Sequence, residues 1–497
     1  MKIAQIYINK IASAESVFDM AVICYKILED KISNPVAFIS QYIDEGDEEV
    51  CLEFKNPNFK RLQDFSVKVA ERLEKYSELD FPQQRSDIVH WMHTISLEAF
   101  LEEEKNQLSI VFILLTIIDS LVPVWIQRGI ITMGKSLLNR GKSRRYCYAY
   151  LTYRQCIHET LMQNIGRERK ANGDFGETLD NLLFIKKDEL PKKAMPPEVS
   201  FLTRRNNVSS FCVTVAIITG LSGYHFKITR THGSTRIIEY IPEIQIELAG
   251  KVWGKMQKAI ENGAEFIILP EFCVSEGMLG FIKQKLLEYK AYEKSNLIAV
   301  FPGSTWTETN DNVQFILDAW GRERGQYYKN MPYRKRKKNV GGYQFCEGLA
   351  NPGYRTSLLC IEGLGYILPA TCRDVIDGIY TNYFASRFHP TFLFVPAWSA
   401  SGRAFVQPLK RYAMDYYTSS VLCNACGALK RKTGIVGGAV VPVKDKTVAS
   451  GYFREIKMSE TSAKNCNRRC DKLCGHILEI DYSDKDAVGC RISYHKY

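Results

Sequence analysis

The chain has 497 residues, of which 45% are hydrophobic and 24% are charged, and its formal net charge is +11. This length excludes a single ordinary domain, so we expect two or three, and the composition is that of a soluble globular protein. The modest positive charge favours acidic partners or anionic ligands without specifying nucleic acid.

The N-terminal stretch MKIAQIYINKIASAES lacks the long apolar core and small-residue cleavage site of a secretory signal. Many of the fifteen cysteines lie in apolar runs such as SFCVTVAII, where cysteine behaves as a small reduced hydrophobe. We therefore expect a cytoplasmic protein. The apolar segment 108–127 is interrupted by Asp119 and Pro123, and its continuous part is shorter than the ~20 residues of a membrane span, so a buried helix is expected.

The two halves of the chain show different patterns. Residues 1–200 place apolar residues at three- and four-residue spacing, which predicts an all-helical N-terminal domain. The proline-rich and charged segment 188–200 is the best candidate linker. From residue 205 to 497, short buried-type strands such as CVTVAIIT, AEFIILPEF and TFLFVPAWS alternate with amphipathic helices, which predicts an α/β domain.

Three segments of this α/β domain end in residues of complementary chemistry. FIILPEF carries Glu271, GRERGQYYKN carries Lys329, and ILPATCRD carries Cys372. Strand ends are where α/β folds collect catalytic groups. A thiol nucleophile, a carboxylate that moves protons and an ammonium that stabilises developing charge can together attack a carbonyl or nitrile carbon.

In their order and spacing these segments resemble the nitrilase, or carbon–nitrogen hydrolase, superfamily across about the last 290 residues. The series includes VTVAIITG, GAEFIILPEF, QFCEG with Glu347, the cysteine segment, HPTFLFVPAWSAS and GHILEIDYS. The resemblance implies a four-layer α-β-β-α sandwich, no metal or organic cofactor, and a homodimer or larger assembly. It also implies cleavage of an amide, nitrile or carbamoyl substrate through a covalent acyl-enzyme.

The resemblance assigns a role to each residue that matches its motifs. Cys372 is the expected nucleophile and Glu271 the general base. Lys329, with the backbone N–H of Arg373, is expected to stabilise the tetrahedral oxyanion. Glu347 is expected to orient Lys329 or the substrate.

Two features depart from the family pattern: Pro369 interrupts the strand before the cysteine, and Arg373 follows it. Arg373 is a candidate for binding an anionic group of the substrate, or for pairing with Asp374. Trp398, in VPAWSAS, is a second candidate substrate contact.

Other motifs leave alternatives open. GIITMGKS, at 129–136, fits a phosphate-loop pattern but has bulky residues where the loop must curl. Residues 139–155 interleave basic and aromatic side chains, which suits either single-strand nucleic acid or an amphipathic helix with a basic face. YRKRKK, at 333–338, suits a solvated loop or a basic collar for an acidic ligand. Possible zinc ligands lie at Cys466, Cys470, Cys474 and His476, with unusual spacing.

The helical N-terminal domain lies outside the minimal family and is expected to bind a protein or nucleic-acid partner, or to regulate. Nitrilase-like domains also occur as accessory modules, including beside reverse transcriptases in bacterial antiviral defence. An effector or scaffold subunit controlled by a partner, with or without turnover, is therefore the alternative to a hydrolase.

Overall fold

A computed structural model shows how the chain folds. It describes most of the chain, and the ranges are 2–35, 38, 60–96, 104–131, 138, 145–152, 179, 181–191, 194–204, 212–219, 225–230, 235–336, 343–429, 434–442, 452–457, 473–482 and 491–497. The contacts divide these residues into two compact units, one up to Leu190 and one from Pro191.

The first unit contains five described helices around one apolar core. They are α1 (Lys2–Ala12), α2 (Val17–Lys31), α3 (Lys60–Glu74), α4 (Phe81–Ser96) and α5 (Glu104–Gln127). Ser16 caps α2 by accepting a hydrogen bond from the Asp19 amide at 3.1 Å, which satisfies one of the free amides of the first turn. The Trp125 indole N–H of α5 donates to the Leu73 carbonyl of α3 at 2.9 Å. The helical character predicted for this region is confirmed for the described residues between 2 and 127.

Helix α5 contains the apolar segment 108–127, which the sequence predicts to be a buried helix and not a membrane span. Among the described residues, its stretch Gln107–Gln127 is long and apolar enough to cross a membrane. In the structure 67% of this stretch is buried, packed against α2 and α3. The expectation of a buried helix that contains Pro123 agrees with this packing.

The first unit is not all-helical. Two strands, β1 (Cys147–Leu151) and β2 (Leu182–Lys186), form an antiparallel pair. Strand β1 lies within the basic and aromatic segment 139–155, for which an amphipathic helix was one interpretation. That interpretation is wrong for the part of the segment that is described, because Cys147–Leu151 is a strand paired with β2. Most of its residues are buried in the core. The two Tyr side chains of β1 favour a strand once packing is available.

Two large sheets build the second unit. The first has the order β11-β10-β8-β7-β4-β20-β21, and β9 pairs with β10. Its strands are β4 (Cys212–Ile218), β7 (Phe266–Ile268), β8 (Ala299–Phe301), β9 (Ser304–Trp306), β10 (Asn312–Asp318), β11 (Glu323–Tyr328), β20 (Gly475–Asp481) and β21 (Arg491–Lys496). The strands expected from CVTVAIIT and AEFIILPEF are thereby confirmed.

The second large sheet has the order β19-β18-β17-β16-β15-β14-β3. Its strands are β3 (Glu198–Leu202), β14 (Ser357–Ile361), β15 (Gly365–Pro369), β16 (Phe392–Ala397), β17 (Ser419–Asn424), β18 (Ile435–Val441) and β19 (Tyr452–Lys457). The sheet takes in Glu198–Leu202, so the last residues of the expected linker are a strand paired with β14. Pro369 ends β15 opposite Phe394 and does not interrupt it.

The inner faces of the two sheets share one apolar core. Phe301 of β8 meets Phe394 of β16 edge to face, with ring centroids 4.9 Å apart. The outer face of the first sheet packs on α6 (Pro242–Glu261) and α7 (Glu276–Tyr289), which α8 (Ala291–Lys294) follows. The second sheet contacts α10 (Ile379–Phe388) and α11 (Val406–Tyr416), and the short α9 (Arg373–Asp377) precedes them. The mixed α/β class is confirmed.

A third, smaller sheet was not predicted. It has the order β12-β13-β6-β5, with strands β5 (Phe226–Arg230), β6 (Thr235–Tyr240), β12 (Arg334–Arg336) and β13 (Tyr343–Glu347). Strand β12 lies inside YRKRKK, so the loop expected for that run is wrong for Arg334–Arg336. The small sheet matters because β13 ends in Glu347.

Candidate active site

Glu271 lies three residues beyond the end of β7, and its side chain is 1% exposed. One carboxylate oxygen, Oε1, accepts hydrogen bonds from Lys329 Nζ at 2.7 Å and from Asn312 Nδ2 at 2.9 Å. The other, Oε2, accepts the backbone N–H of Trp398 at 2.9 Å. A buried carboxylate with three donors is compensated for its loss of water and is held in one orientation.

The turn that carries Glu271 depends on a neighbouring glycine. Gly303 has φ +74°, and a Cβ there would lie 1.8 Å from the carbonyl oxygen of Pro270. Any side chain at Gly303 would therefore push directly on the residue before Glu271. Phe272, immediately after Glu271, has φ 60°, a conformation that costs energy for a bulky residue.

Lys329 directly follows β11 and lies between two carboxylates. Besides Glu271, its Nζ contacts both oxygens of Glu347, at 2.9 and 2.7 Å. Both partners are almost fully buried, and Glu347 also accepts the Tyr333 amide at 2.5 Å. Burial lowers the pKa of Lys329, but the charges of Glu271, Glu347 and Cys372 together raise it well above its usual range. Lys329 is therefore a fixed cation.

Cys372 lies between β15 and α9, at the N-cap position of that short helix. Its backbone has φ 50° and ψ −107°, a conformation that non-glycine residues rarely adopt. Its amide N–H donates to the Pro396 carbonyl at 2.9 Å, which ties this turn to β16. Strained backbone that the surrounding structure holds in place is typical of functional sites.

The thiol of Cys372 lies close to the charged groups of Glu271 and Lys329. The Glu271 side chain, the Trp398 amide and the Lys329 charge all lie close enough to the thiol to shift its pKa. Burial, at 7% exposure, raises the pKa of the thiol well above its usual range, and the charge of Glu271 raises it further. Lys329 and the Trp398 amide act in the opposite direction and lower the pKa. Burial is the largest effect, so the resting form is a neutral thiol beside Glu271.

The structure thus brings together four of the residues chosen from the sequence: Glu271, Lys329, Glu347 and Cys372. It places Arg373 differently, because the guanidinium forms an ion pair with Asp377, one helical turn further on. The suggested pairing of Arg373 with Asp374 is therefore wrong. The Trp398 ring packs against Phe226, with centroids 4.9 Å apart.

Two contributors were missed. Asn312, at the start of β10, donates its side-chain N–H to Glu271 and accepts the Lys329 amide on its carbonyl at 2.9 Å. The asparagine at the head of NVQFILD was the available signal. The backbone N–H of Trp398 is the second, and no sequence pattern marks a backbone donor.

The remaining motifs lie mostly outside the described residues. Of GIITMGKS only Gly129–Ile131 is described, and of the possible zinc ligands only Cys474 and His476 are. Within the described part of the chain, no group of three or more His, Cys, Asp or Glu side chains is placed to hold a metal ion.

Comparison with solved structures finds proteins that are similar to about half of this chain. The chain is similar to nitrilase-superfamily amidases. An amidase from Nesterenkonia sp. is 15% identical over 51% of this chain and 94% of its own, with a TM-score of 0.33. A double mutant of that amidase in complex with acrylamide is 13% identical over 56% and 94%, with a TM-score of 0.37. A Saccharomyces cerevisiae member of the nitrilase superfamily is 12% identical over 53% and 99%, with a TM-score of 0.33.

This likeness agrees with the resemblance that the motifs predict. No protein-family model matches the sequence, and no curated protein sequence matches it. At these identities and TM-scores the likeness assigns no activity, so a function must be derived from the contacts of Glu271, Lys329, Glu347 and Cys372.

Proposed function

We propose that the second unit is a four-layer α-β-β-α carbon–nitrogen hydrolase domain that cleaves non-peptide amide, nitrile or carbamoyl substrates. One observation carries this proposal. The Cys372 thiol lies beside Glu271, whose carboxylate raises the thiol pKa and is itself hydrogen-bonded to the buried Lys329 ammonium. A nucleophile, a base in contact with it and a fixed cation are the three groups that acyl transfer through a thiol requires.

In the first step Glu271 takes the thiol proton while Cys372 Sγ attacks the substrate carbon. Because the resting thiol is neutral, proton transfer accompanies attack and does not precede substrate binding. For an amide, the carbonyl oxygen becomes an oxyanion. The Glu271 carboxyl then returns the proton to the leaving nitrogen, the C–N bond breaks, ammonia departs and a thioester remains on Cys372.

In the second step water attacks the thioester and Glu271 takes its proton. Collapse of the tetrahedral intermediate breaks the C–S bond, the proton passes to Cys372 Sγ and the carboxylic acid leaves. A nitrile follows the same route through a thioimidate, which one water molecule converts to the thioester with loss of ammonia. Glu271 alternates between base and acid, which a single well-held carboxylate does in both halves of the reaction.

Lys329 has a double role in this scheme. All three of its N–H donors are directed at carboxylate oxygens, one at Glu271 and two at Glu347. Two N–H groups of Lys329 bind the same Glu347 carboxylate, and one of these bonds is enough to hold the ammonium. The other N–H can therefore turn towards the oxyanion. Glu347 is therefore proposed as the residue that orients Lys329.

Substrate binding involves two further proposals. Trp398 and Phe226 present aromatic surface next to the amide that binds Glu271, which favours an apolar acyl group there. Arg373 is one-third exposed and remains a candidate for an anionic substituent, at the expense of its ion pair with Asp377. Assembly as a homo-oligomer and a partner for the helical region stay predictions.

Turnover by purified variants tests the proposal. Ammonia release is measured on a panel of amides, nitriles and N-carbamoyl compounds for the wild type and for Cys372→Ala, Glu271→Gln and Cys212→Ala. Cys212 is a half-buried thiol of β4 and serves as the matched control. We expect losses of about 10³-fold or more for the first two variants and less than about twofold for the control. Turnover retained by Cys372→Ala contradicts the proposal.

A further inference from the structure

A third buried carboxylate, besides Glu271 and Glu347, lies next to the proposed active site without belonging to it. Asp374 is 0% exposed and sits in the first turn of α9. One of its oxygens accepts the Tyr327 hydroxyl at 2.8 Å, and the other accepts the Met331 amide at 2.6 Å. The Asn330 amide lies 3.1 and 3.2 Å from the two oxygens. Four contacts from three residues hold one carboxylate.

These contacts join the two elements that carry the reacting groups. Asp374 is two residues after Cys372, and Asn330 and Met331 are the two residues after Lys329. Cys372 follows β15 of one large sheet, whereas Lys329 follows β11 of the other. The polar bridge therefore crosses between the sheets at the point where the thiol and the ammonium must keep a fixed separation.

We propose that Asp374 is a positioning residue that fixes the Lys329 turn against the Cys372 turn through Tyr327, Asn330 and Met331. It touches no reacting group, and its importance for turnover rests on the proposed function. Placement matters here because errors of about 1 Å in a catalytic group reduce rates by up to about a hundredfold.

The surroundings of Asp374 make the bridge sensitive to pH. Burial raises the pKa of Asp374 to about 7, opposed by the Lys329 charge, the amides of Asn330 and Met331 and the Tyr327 hydroxyl. Tyr327 and Lys329 face it from the end of β11, and Tyr412 faces it from α11. A protonated carboxyl offers fewer acceptor sites than a carboxylate, so the bridge is complete only above this pKa.

The rate at which Cys372 is alkylated reports how Lys329 is positioned relative to the thiol, and the assay needs no substrate. Lys329 lowers the pKa of the thiol, so moving it away raises that pKa and slows reaction with iodoacetamide. The rate is followed from pH 5.5 to 9 by peptide mass spectrometry on the folded protein. The thiol pKa lies above this pH range, so for Asp374→Asn we expect a further rise of about one unit to be seen as an about tenfold slower reaction within the range.

The direction of the change separates positioning from a simple charge effect. Removing a nearby negative charge would by itself lower the thiol pKa and speed alkylation. Asp377→Asn is the matched control, since it removes a carboxylate of the same helix whose partner is Arg373, and its rate should stay within about twofold. An unchanged or faster rate in Asp374→Asn overturns the proposal.

A milder variant covers the case in which Asp374→Asn does not fold. Tyr327→Phe removes one donor to Asp374 and should slow alkylation in the same direction, by about two- to threefold. An unchanged rate in that variant overturns the proposal equally. If the wild type cleaves no compound of the panel while alkylation slows as expected, the hydrolase function fails and the positioning role stands.

Discussion

Replacing Lys329 by methionine should be the most destabilising single change in the buried cluster. The substitution keeps the volume but leaves the carboxylates of Glu271 and Glu347 buried without their shared cation. Two unit charges about 4 Å apart interact by about 4 kcal/mol at an effective dielectric constant of about 20, and Lys329 has two such partners. This loss of interaction energy is partly offset because the ammonium no longer has to be desolvated. We therefore expect the free energy of unfolding to fall by about 3–5 kcal/mol at pH 8.

The loss should depend on pH in a defined direction. Without Lys329 the pKa values of the two carboxyls rise above their unfolded values of about 4.3, so the folded protein binds protons more tightly than the unfolded chain. Stability is then retained at low pH and lost as pH rises through the folded pKa values. We expect the loss at pH 5 to be about half of that at pH 8.

Urea unfolding at both pH values, followed by circular dichroism, measures this. Lys283→Met is the matched control, because Lys283 pairs with Glu323 at 3.1 Å on the surface, one-third exposed, and should cost less than about 1 kcal/mol. Adding Glu347→Gln to Lys329→Met should recover part of the stability, since one stranded charge is removed. The reasoning is refuted if Lys329→Met is no less stable than Lys283→Met at pH 8.

Three further outcomes follow from the geometry. Gly303→Ala should cost more than about 2 kcal/mol in thermal unfolding because its Cβ would meet the Pro270 carbonyl, whereas Gly254→Ala, with open space in α6, should stabilise by about 0.5–1 kcal/mol. Equal changes in melting temperature for Gly303→Ala and Gly254→Ala would contradict this. Asn312→Leu removes a donor to Glu271 and should lower kcat about tenfold with KM within about twofold; a change confined to KM would argue against it. The pKa of Asp374 rises from 3.8 to about 7, so wild-type stability relative to Asp374→Asn should fall by about 4 kcal/mol between pH 4 and 8, and a constant difference would contradict it.

The sequence predicts well those parts of the second unit that local pattern determines. Runs of β-branched and aromatic residues such as CVTVAII can be satisfied only as buried strands, and they form β4 and its neighbours. Glu271, Lys329 and Cys372 were candidates because residues at or just beyond strand ends are placed at the edge of a sheet. Their contacts were not predictable, because Cys372 and Glu347 approach Glu271 and Lys329 from strands of other sheets.

What the sequence did not show depends on contacts between distant residues. The donors to Glu271 include a backbone N–H at Trp398, which every sequence would supply equally. Strand β12 has a basic, solvated composition that normally indicates a loop, and pairing with β13 overrides it. Strand β1 was not predicted for a related reason. Its Tyr and Cys side chains are compatible with a helix or a strand, and the pairing with β2, some thirty residues later, decides between them.

The most direct test of the account is a covalent one. A slowly cleaved amide or nitrile from the panel is incubated with the protein, the reaction is stopped in acid, and peptides are mapped by mass spectrometry. We expect the peptide that contains Cys372 to gain the mass of the acyl group, and Cys372→Ala to gain none. An adduct on another residue, such as Cys346, or turnover that continues without the Cys372 thiol, would contradict the claim that this sulfur is the nucleophile.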